Sequence, residues 1–210
     1  MISHKYKCIF IHIPACAGTS MEKAIVGKNW AEIDWSTKHI KSHQAKILYS
    51  QYWKDYFKFT FVRNPWSRTV SLAKNKRHGV YVDHEIPNIN FNKKRNGKWS
   101  WLEQSATFEC FPMDSKLNLE TKQHIENSIY LNYLLEDVDY IGKFESLVSD
   151  FEYIRSILGI KECLPKIEST QSRLKTKQKH YTEYYDEETR QIVAEKYAKD
   201  IEYFGYEFGG

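Results

Sequence analysis

The segment from Ile9 to Ser20, IFIHIPACAGTS, constrains the fold of this chain more than any other. A nearly unbroken apolar run from Cys8 to Ile13 reads as a fully buried strand. Pro14 breaks the run, small residues lead to Gly18, and the hydroxyl pair Thr19-Ser20 opens a helix. A strand, a tight small-residue turn and a helix in that order leave several backbone N–H groups unpaired and aimed at one spot. The helix dipole favours negative charge at the same place. Pro14, Cys16, Ala17, Gly18, Thr19 and Ser20 therefore form a candidate phosphate cradle. Ala15 lies within the same turn.

The rest of the chain repeats the strand-then-helix order. Tyr6–His12 is predicted as the first, central strand, and Ser20–Val26 as the helix after the loop, stopped by Gly27. The spacing of Ile40, Ala45, Ile47 and Leu48 predicts a helix over His39–Gln51. Phe57–Val62 (FKFTFV) is predicted as a second strand, and Pro65 sits in the first turn of the helix that follows. Val138–Phe144 reads as a third strand and Leu147–Leu158 as its helix, closed by Gly159. Asp186–Tyr203 reads as a terminal helix with acids in its first turn and Ile192, Val193, Tyr197 and Ile201 on one face. Strands alternating with helices predict an α/β architecture, a P-loop-type three-layer fold with a central parallel sheet flanked by helices.

No repeat or linker splits the 210 residues, so a single domain over 1–210 is expected. Residues 75–124 are the least regular part. A net charge of +4 does not by itself demand nucleic acid as a partner. Basic clusters at Lys74–Arg77, Lys93–Lys98 and Arg173–Lys179 are either solvated surface or gather an anionic ligand. Cys8, Cys16, Cys110 and Cys163 form no CxxC pair. There is no secretory signal and no run of 18 apolar residues, so a cytoplasmic chain without a membrane partner is expected. Cys16 needs no nucleophilic role, because the loop already requires a small residue there.

A Walker A loop carries lysine between its second glycine and its hydroxyl. Here Thr19 takes that place, and no acidic strand end follows to hold Mg²⁺, which disfavours an ordinary kinase. The second element, FTFVRNPWSRTVS, puts Arg63 at a strand's carboxyl end and Ser71 eight residues later on the next helix. The pair either converges on a second anion, or Arg63 caps the sheet and Ser71 fills the helix.

Together the two elements resemble the carbohydrate-type sulfotransferases, the group that includes the chondroitin, dermatan and uronyl 2-O-sulfotransferases. In that group a loop of the form HIPK-x-[AG]-GTS holds the 5′-phosphosulfate of 3′-phosphoadenosine 5′-phosphosulfate (PAPS), and an FVR-[ND]-P…S element holds the 3′-phosphate. The matching residues are His12-Ile13-Pro14, Ala17-Gly18-Thr19-Ser20, and Phe61-Val62-Arg63-Asn64-Pro65 with Ser71. Asp139-Tyr140-Ile141-Gly142-Lys143-Phe144-Glu145 is similar to the group's D-[FY]-IG-[RK]-FE strand, and Asp200-Ile201-Glu202 with Phe204-Gly205-Tyr206 and Phe208 to its C-terminus. The resemblance leaves 75–124 unmatched.

The resemblance implies a PAPS-dependent transfer of a sulfuryl group to a hydroxyl of a glycan or small molecule, leaving 3′,5′-adenosine bisphosphate, without a metal. Arg173 and Lys175, in a basic stretch before the last helix, are the implied further cofactor contacts. His43, in KSHQAKIL, resembles the group's histidine before a QA pair and is the candidate general base. Its other reading is a surface histidine capping that helix. His39 and His43, four apart, lack a third metal ligand. The unmatched insertion, with Tyr81, Phe91, Trp99 and Trp101 among Lys93, Lys94, Arg95 and Lys98, is the candidate acceptor site and suits an acidic substrate. The group's animal members are anchored in the Golgi membrane, so the missing apolar run points to a bacterial-type cytosolic enzyme.

Ala15 is the departure from the pattern. An ammonium there would stabilise charge on the departing phosphate oxygen, and losing such a donor costs roughly 10²–10³ in rate. Ala15 is compatible with an engineered knockout, a natural enzyme with a substitute cation, or an inactive relative. The alternatives to a sulfotransferase are a P-loop nucleotide kinase and a non-catalytic nucleotide-binding module.

Overall fold

Among the described residues four strands form one sheet in the order β1-β2-β3-β4: β1 (Ile2–Ser3), β2 (Cys8–Ile11), β3 (Phe57–Val62) and β4 (Tyr140–Lys143). The computed structural model describes residues 1–74, 126–165 and 179–210. β2, β3 and β4 run parallel, with Phe10 opposite Phe59 and Phe61 opposite Gly142. β1 is antiparallel to β2, pairing Ile2 with Ile9 and Ser3 with Cys8. The sheet is thus mixed rather than wholly parallel. The two-residue β1 has no periodicity for sequence reasoning to find, and the turn that makes it, with Lys7 at φ 47°, also delays the start of β2 to Cys8.

The described residues fall into two compact units, 1–63 with 130–165, and 64–74 with 126–129 and 179–210. The first unit holds the sheet. All four residues of β2 are buried, and Phe59, Phe61 and Val62 of β3 are fully buried beside them. The Phe10 and Phe59 rings lie 5.0 Å apart. Gly142 is glycine because a Cβ there would fall 2.4 Å from the Phe61 ring. Helix α1 (Gly18–Val26) follows the loop and ends at Gly27, whose φ of 75° takes the left-handed C-terminal position glycine favours.

Short helices α2 (Ala31–Asp34), α3 (Ser42–Leu48) and α4 (Ser50–Trp53) connect to β3. The helix predicted over His39–Gln51 is shorter and interrupted. The start of the predicted span is drawn into a tertiary contact instead: His39 bonds to the His12 carbonyl, next to Lys38, which pairs with Glu22. Tertiary bonds outweigh the modest propensity of a short helix.

The second unit is built on α5 (Pro65–Lys74). The Asn64 side chain accepts from the Trp66 and Ser67 amides at its start, 3.2 and 3.4 Å, and donates to the Glu207 carbonyl at 2.8 Å. In the first unit, α6 (Tyr130–Tyr133) precedes β4, and α7 (Leu147–Leu158) follows it and closes at Gly159, as predicted. The terminal helix predicted over Asp186–Tyr203 is two helices, α8 (Glu187–Lys196) and α9 (Ala198–Phe204). It breaks at Tyr197, which leaves helical geometry while its buried hydroxyl receives Arg68 Nη1 at 3.1 Å. Asp186 caps α8 through the Thr189 amide at 2.8 Å.

Candidate active site

The strand–loop–helix is as the sequence predicts, with a conformation that residue types alone do not suggest. Ala15 and Ala17 both adopt left-handed backbone, φ 65° and 64°. An L-residue there costs roughly 1–2 kcal/mol, because Cβ crowds the following carbonyl. Two such residues in three positions turn the chain sharply from β2 into α1. The Cys16 amide bonds back to Ile13, and the Ser20 and Met21 amides reach the Ala17 carbonyl at 2.9 and 3.3 Å. Among the described residues the Gly18 and Thr19 amides make no such bond, as expected of a helix's first turn. Ala15, Ala17, Thr19 and Ser20 are partly exposed, whereas Pro14, Cys16 and Gly18 are buried. The partly exposed end of the turn thus carries the Thr19 amide, two hydroxyl residues and the positive end of a nine-residue helix, with the Gly18 amide buried beside them. That donor set fits an anionic group, and the side chain at position 15 is a methyl group.

Arg63 belongs to the same locality. It follows β3 directly, donates from Nη1 to the Ala15 carbonyl at 3.3 Å, and stacks its guanidinium 3.9 Å over the Phe144 ring. Its own carbonyl accepts a hydrogen bond from the Tyr130 hydroxyl. The parallel pairing of β2 with β3 brings it there, since both strands deliver their carboxyl ends to one edge. Ser71 lies on α5 in the second unit and is partly buried. Arg173, Lys175 and the 75–124 insertion lie outside the described residues.

Behind the loop is a buried polar cluster that sequence reasoning missed. Glu22 of α1 is fully buried, and its carboxylate accepts from His12 Nδ1 at 2.6 Å, Lys38 Nζ at 2.6 Å and the Trp30 amide at 3.0 Å. Burial pushes the Glu22 carboxyl up, yet the bonds from His12 and Lys38 hold it down at about 2. A carboxylate accepts only, so His12 donates from Nδ1. His39 likewise donates from Nδ1 to the His12 carbonyl at 3.1 Å, its ring edge-on to the His12 ring at 4.4 Å. Burial lowers the pKa of both rings, His39 well below its ordinary value. Both imidazoles are therefore neutral at pH 7. The signal available in the sequence was Glu22 itself, an acid on the inner face of an amphipathic helix.

His43 sits in the first turn of α3, half-buried, with its pKa lowered first by burial and then by Lys41. His39, read from sequence only as half of a doubtful metal pair, is the histidine that the structure ties to the loop strand. Among the described residues no group of three His, Cys, Asp or Glu side chains could hold a metal ion. No helix among them is long and apolar enough to cross a membrane.

The sequence profile described as the sulfotransferase family matches residues 1–207. Carbohydrate sulfotransferase 10 of Xenopus laevis is 24% identical over 237 residues, covering 98% of this chain and 66% of that protein. The chain thus spans just under two thirds of that relative's length. No solved structure matches.

Proposed function

The chain belongs to the sulfotransferase family, and from that premise we propose that it binds PAPS and serves transfer of its sulfuryl group to a hydroxyl of a glycan or small-molecule acceptor. The observation that carries this reading is the loop: two left-handed alanines turn β2 into α1 and leave the Gly18 and Thr19 amides without a backbone partner at a helix N-terminus, beside the partly exposed hydroxyl residues Thr19 and Ser20. When bound, PAPS supplies an activated sulfuryl group on its 5′-phosphate. The amides of Gly18 and Thr19 and the hydroxyls of Thr19 and Ser20 hold the 5′ side. Arg63 sets the loop through the Ala15 carbonyl and adds positive charge, and Ser71 takes part at the 3′-phosphate, as do Arg173 and Lys175.

The acceptor hydroxyl must lose a proton as it attacks, and a neutral imidazole near neutral pH suits that role. His43 is the base proposed from sequence. A second reading, His39, is favoured by its bond to the His12 carbonyl, which reserves Nδ1 as donor and leaves Nε2 as the basic nitrogen. Residues 75–124 supply the acceptor site, and the reaction belongs to a reducing cytosol. With Ala15 in place, cofactor binding persists and turnover is impaired.

The test is a thermal-shift comparison of 3′,5′-adenosine bisphosphate with ATP–Mg²⁺. Ligand at 100 times Kd stabilises by about 2.7 kcal/mol, which for a chain of this size is roughly 5–10 °C. The bisphosphate is expected to give that rise and ATP–Mg²⁺ a smaller one. A larger rise with ATP–Mg²⁺ would favour the nucleotide kinase, and no rise with either would overturn the reading.

A further inference from the structure

Glu22 lies in the second turn of α1, fully buried. A buried carboxylate is kept only where its charge and its lone pairs are met. Lys38 meets the charge, and the Trp30 amide takes a share of the same oxygen, Oε2. The other oxygen, Oε1, is given to His12. An ion pair with Lys38 alone would not require that second bond.

The His12 ring has little freedom. Nδ1 is held by Glu22 at 2.6 Å, one face stacks towards Phe10 at 5.7 Å and 26°, and the His39 ring closes in at 4.4 Å. Its remaining edge occupies the space where a side chain on Gly18 would begin. A Cβ built on Gly18 would fall 2.0 Å from both Cδ2 and Nε2 of His12 and 2.5 Å from Cε1. Gly18 is the first residue of α1 and is not among the glycines with positive φ. Its backbone angles therefore do not call for glycine; the imidazole does.

We propose that Glu22 is a positioning residue for the anion loop. It fixes the His12 ring as a strut against Gly18, and the strut sets where the first-turn amides of α1 stand. The chain of contact is continuous: Glu22 to His12 by a hydrogen bond, His12 to Gly18 by van der Waals contact, and Gly18 to Thr19 by the backbone whose N–H groups face the ligand. This inference rests on the reading of the loop as the 5′ cradle. A displacement of the order of 1 Å at such a site can cost about 10²-fold.

The test is a double-mutant cycle on Gly18→Ala and His12→Ala, with affinity for 3′,5′-adenosine bisphosphate measured by calorimetry and stability by thermal melting. Gly18→Ala is expected to weaken the bisphosphate by at least about 10-fold and to lower Tm, since neither the new methyl nor the pinned ring can move away. Adding His12→Ala removes the obstacle and is expected to recover most of both losses. Glu22→Met combined with Lys38→Met leaves no unpaired buried charge and takes away the acceptor that holds His12 Nδ1. It is expected to hold Tm within a few degrees while the affinity falls about 10-fold, a split that a merely structural acid would not produce.

Gly18→Ala binding like the parent would overturn the proposal. So would a loss of affinity that His12→Ala fails to relieve, which would mean that glycine is there for the ligand's own approach. If the parent chain binds no bisphosphate, the functional reading fails. The strut is then judged on Tm alone: rescue of Gly18→Ala by His12→Ala supports it, and additive losses refute it.

Discussion

Replacing Ala15 with lysine tests whether a cation at this position would serve the proposed transfer. The backbone at position 15 is already left-handed at φ 65°, and the methyl group of alanine already bears the crowding of that conformation. Lysine adds only atoms beyond Cβ, at a partly exposed position, so Ala15→Lys is expected to change stability by no more than about 1 kcal/mol, roughly 2–4 °C in Tm. The Arg63 bond to the Ala15 carbonyl uses main chain and survives the change. An ammonium near the departing phosphate oxygen is worth roughly 10²–10³ in rate, or about 2.7–4 kcal/mol of transition-state stabilisation. The assay follows release of 3′,5′-adenosine bisphosphate from PAPS, alone and with a panel of hydroxyl acceptors. Ala15→Met, of similar length without charge, and Ala15→Gly, which relieves the left-handed strain, are the controls and should leave the rate unchanged. An Ala15→Lys chain that melts and binds bisphosphate like the parent, yet turns over no faster, would refute the placement of the missing cation at position 15.

Stability should fall with acid in two stages. Burial lowers the pKa of His12 and His39, so below about 6.5 the unfolded chain takes up protons that the folded chain refuses. Stability is lost there at up to about 1.4 kcal/mol per pH unit for each proton. Glu22, held at about 2 against an ordinary 4.5, stabilises the fold above 4.5 and loses that contribution as pH falls towards 2. Urea midpoints between pH 7.5 and 3 check both stages, and a flat profile from pH 7 to 5 would contradict the neutral histidines. In the Ala15→Lys background, replacing the true base by alanine should cost 10²–10⁴ in kcat, roughly, with bisphosphate affinity little changed. Comparing His43→Ala with His39→Ala identifies it, and equal, small effects would exclude both.

Much of this protein is legible in its residue order because the relevant physics is local. The span Phe57–Val62 is a strand by alternation and burial alone, and Leu147–Leu158 ends where Gly159 can turn left-handed. The strand, turn and helix proposed as a phosphate cradle follow from an apolar run, a proline and a row of small residues, and the family resemblance that they carry agrees with the match over 1–207. Helix ends were misplaced where distant partners competed. His39 leaves the predicted helix for the His12 carbonyl, next to Lys38 on Glu22, and Tyr197 breaks the last helix while its buried hydroxyl meets Arg68.

What only the tertiary structure decided is how the loop is supported. The order of residues in the chain says that positions 15, 17 and 18 are small, and not why each is. Ala15 and Ala17 lie in left-handed backbone, a conformation that belongs to the turn as a whole. Gly18 is small because the His12 ring stands in its Cβ position, pinned from behind by Glu22. These are distances between groups that only folding brings together, across a loop and one turn of helix. They depend on the packing of rings and charges in three dimensions, and no periodicity along the chain encodes them.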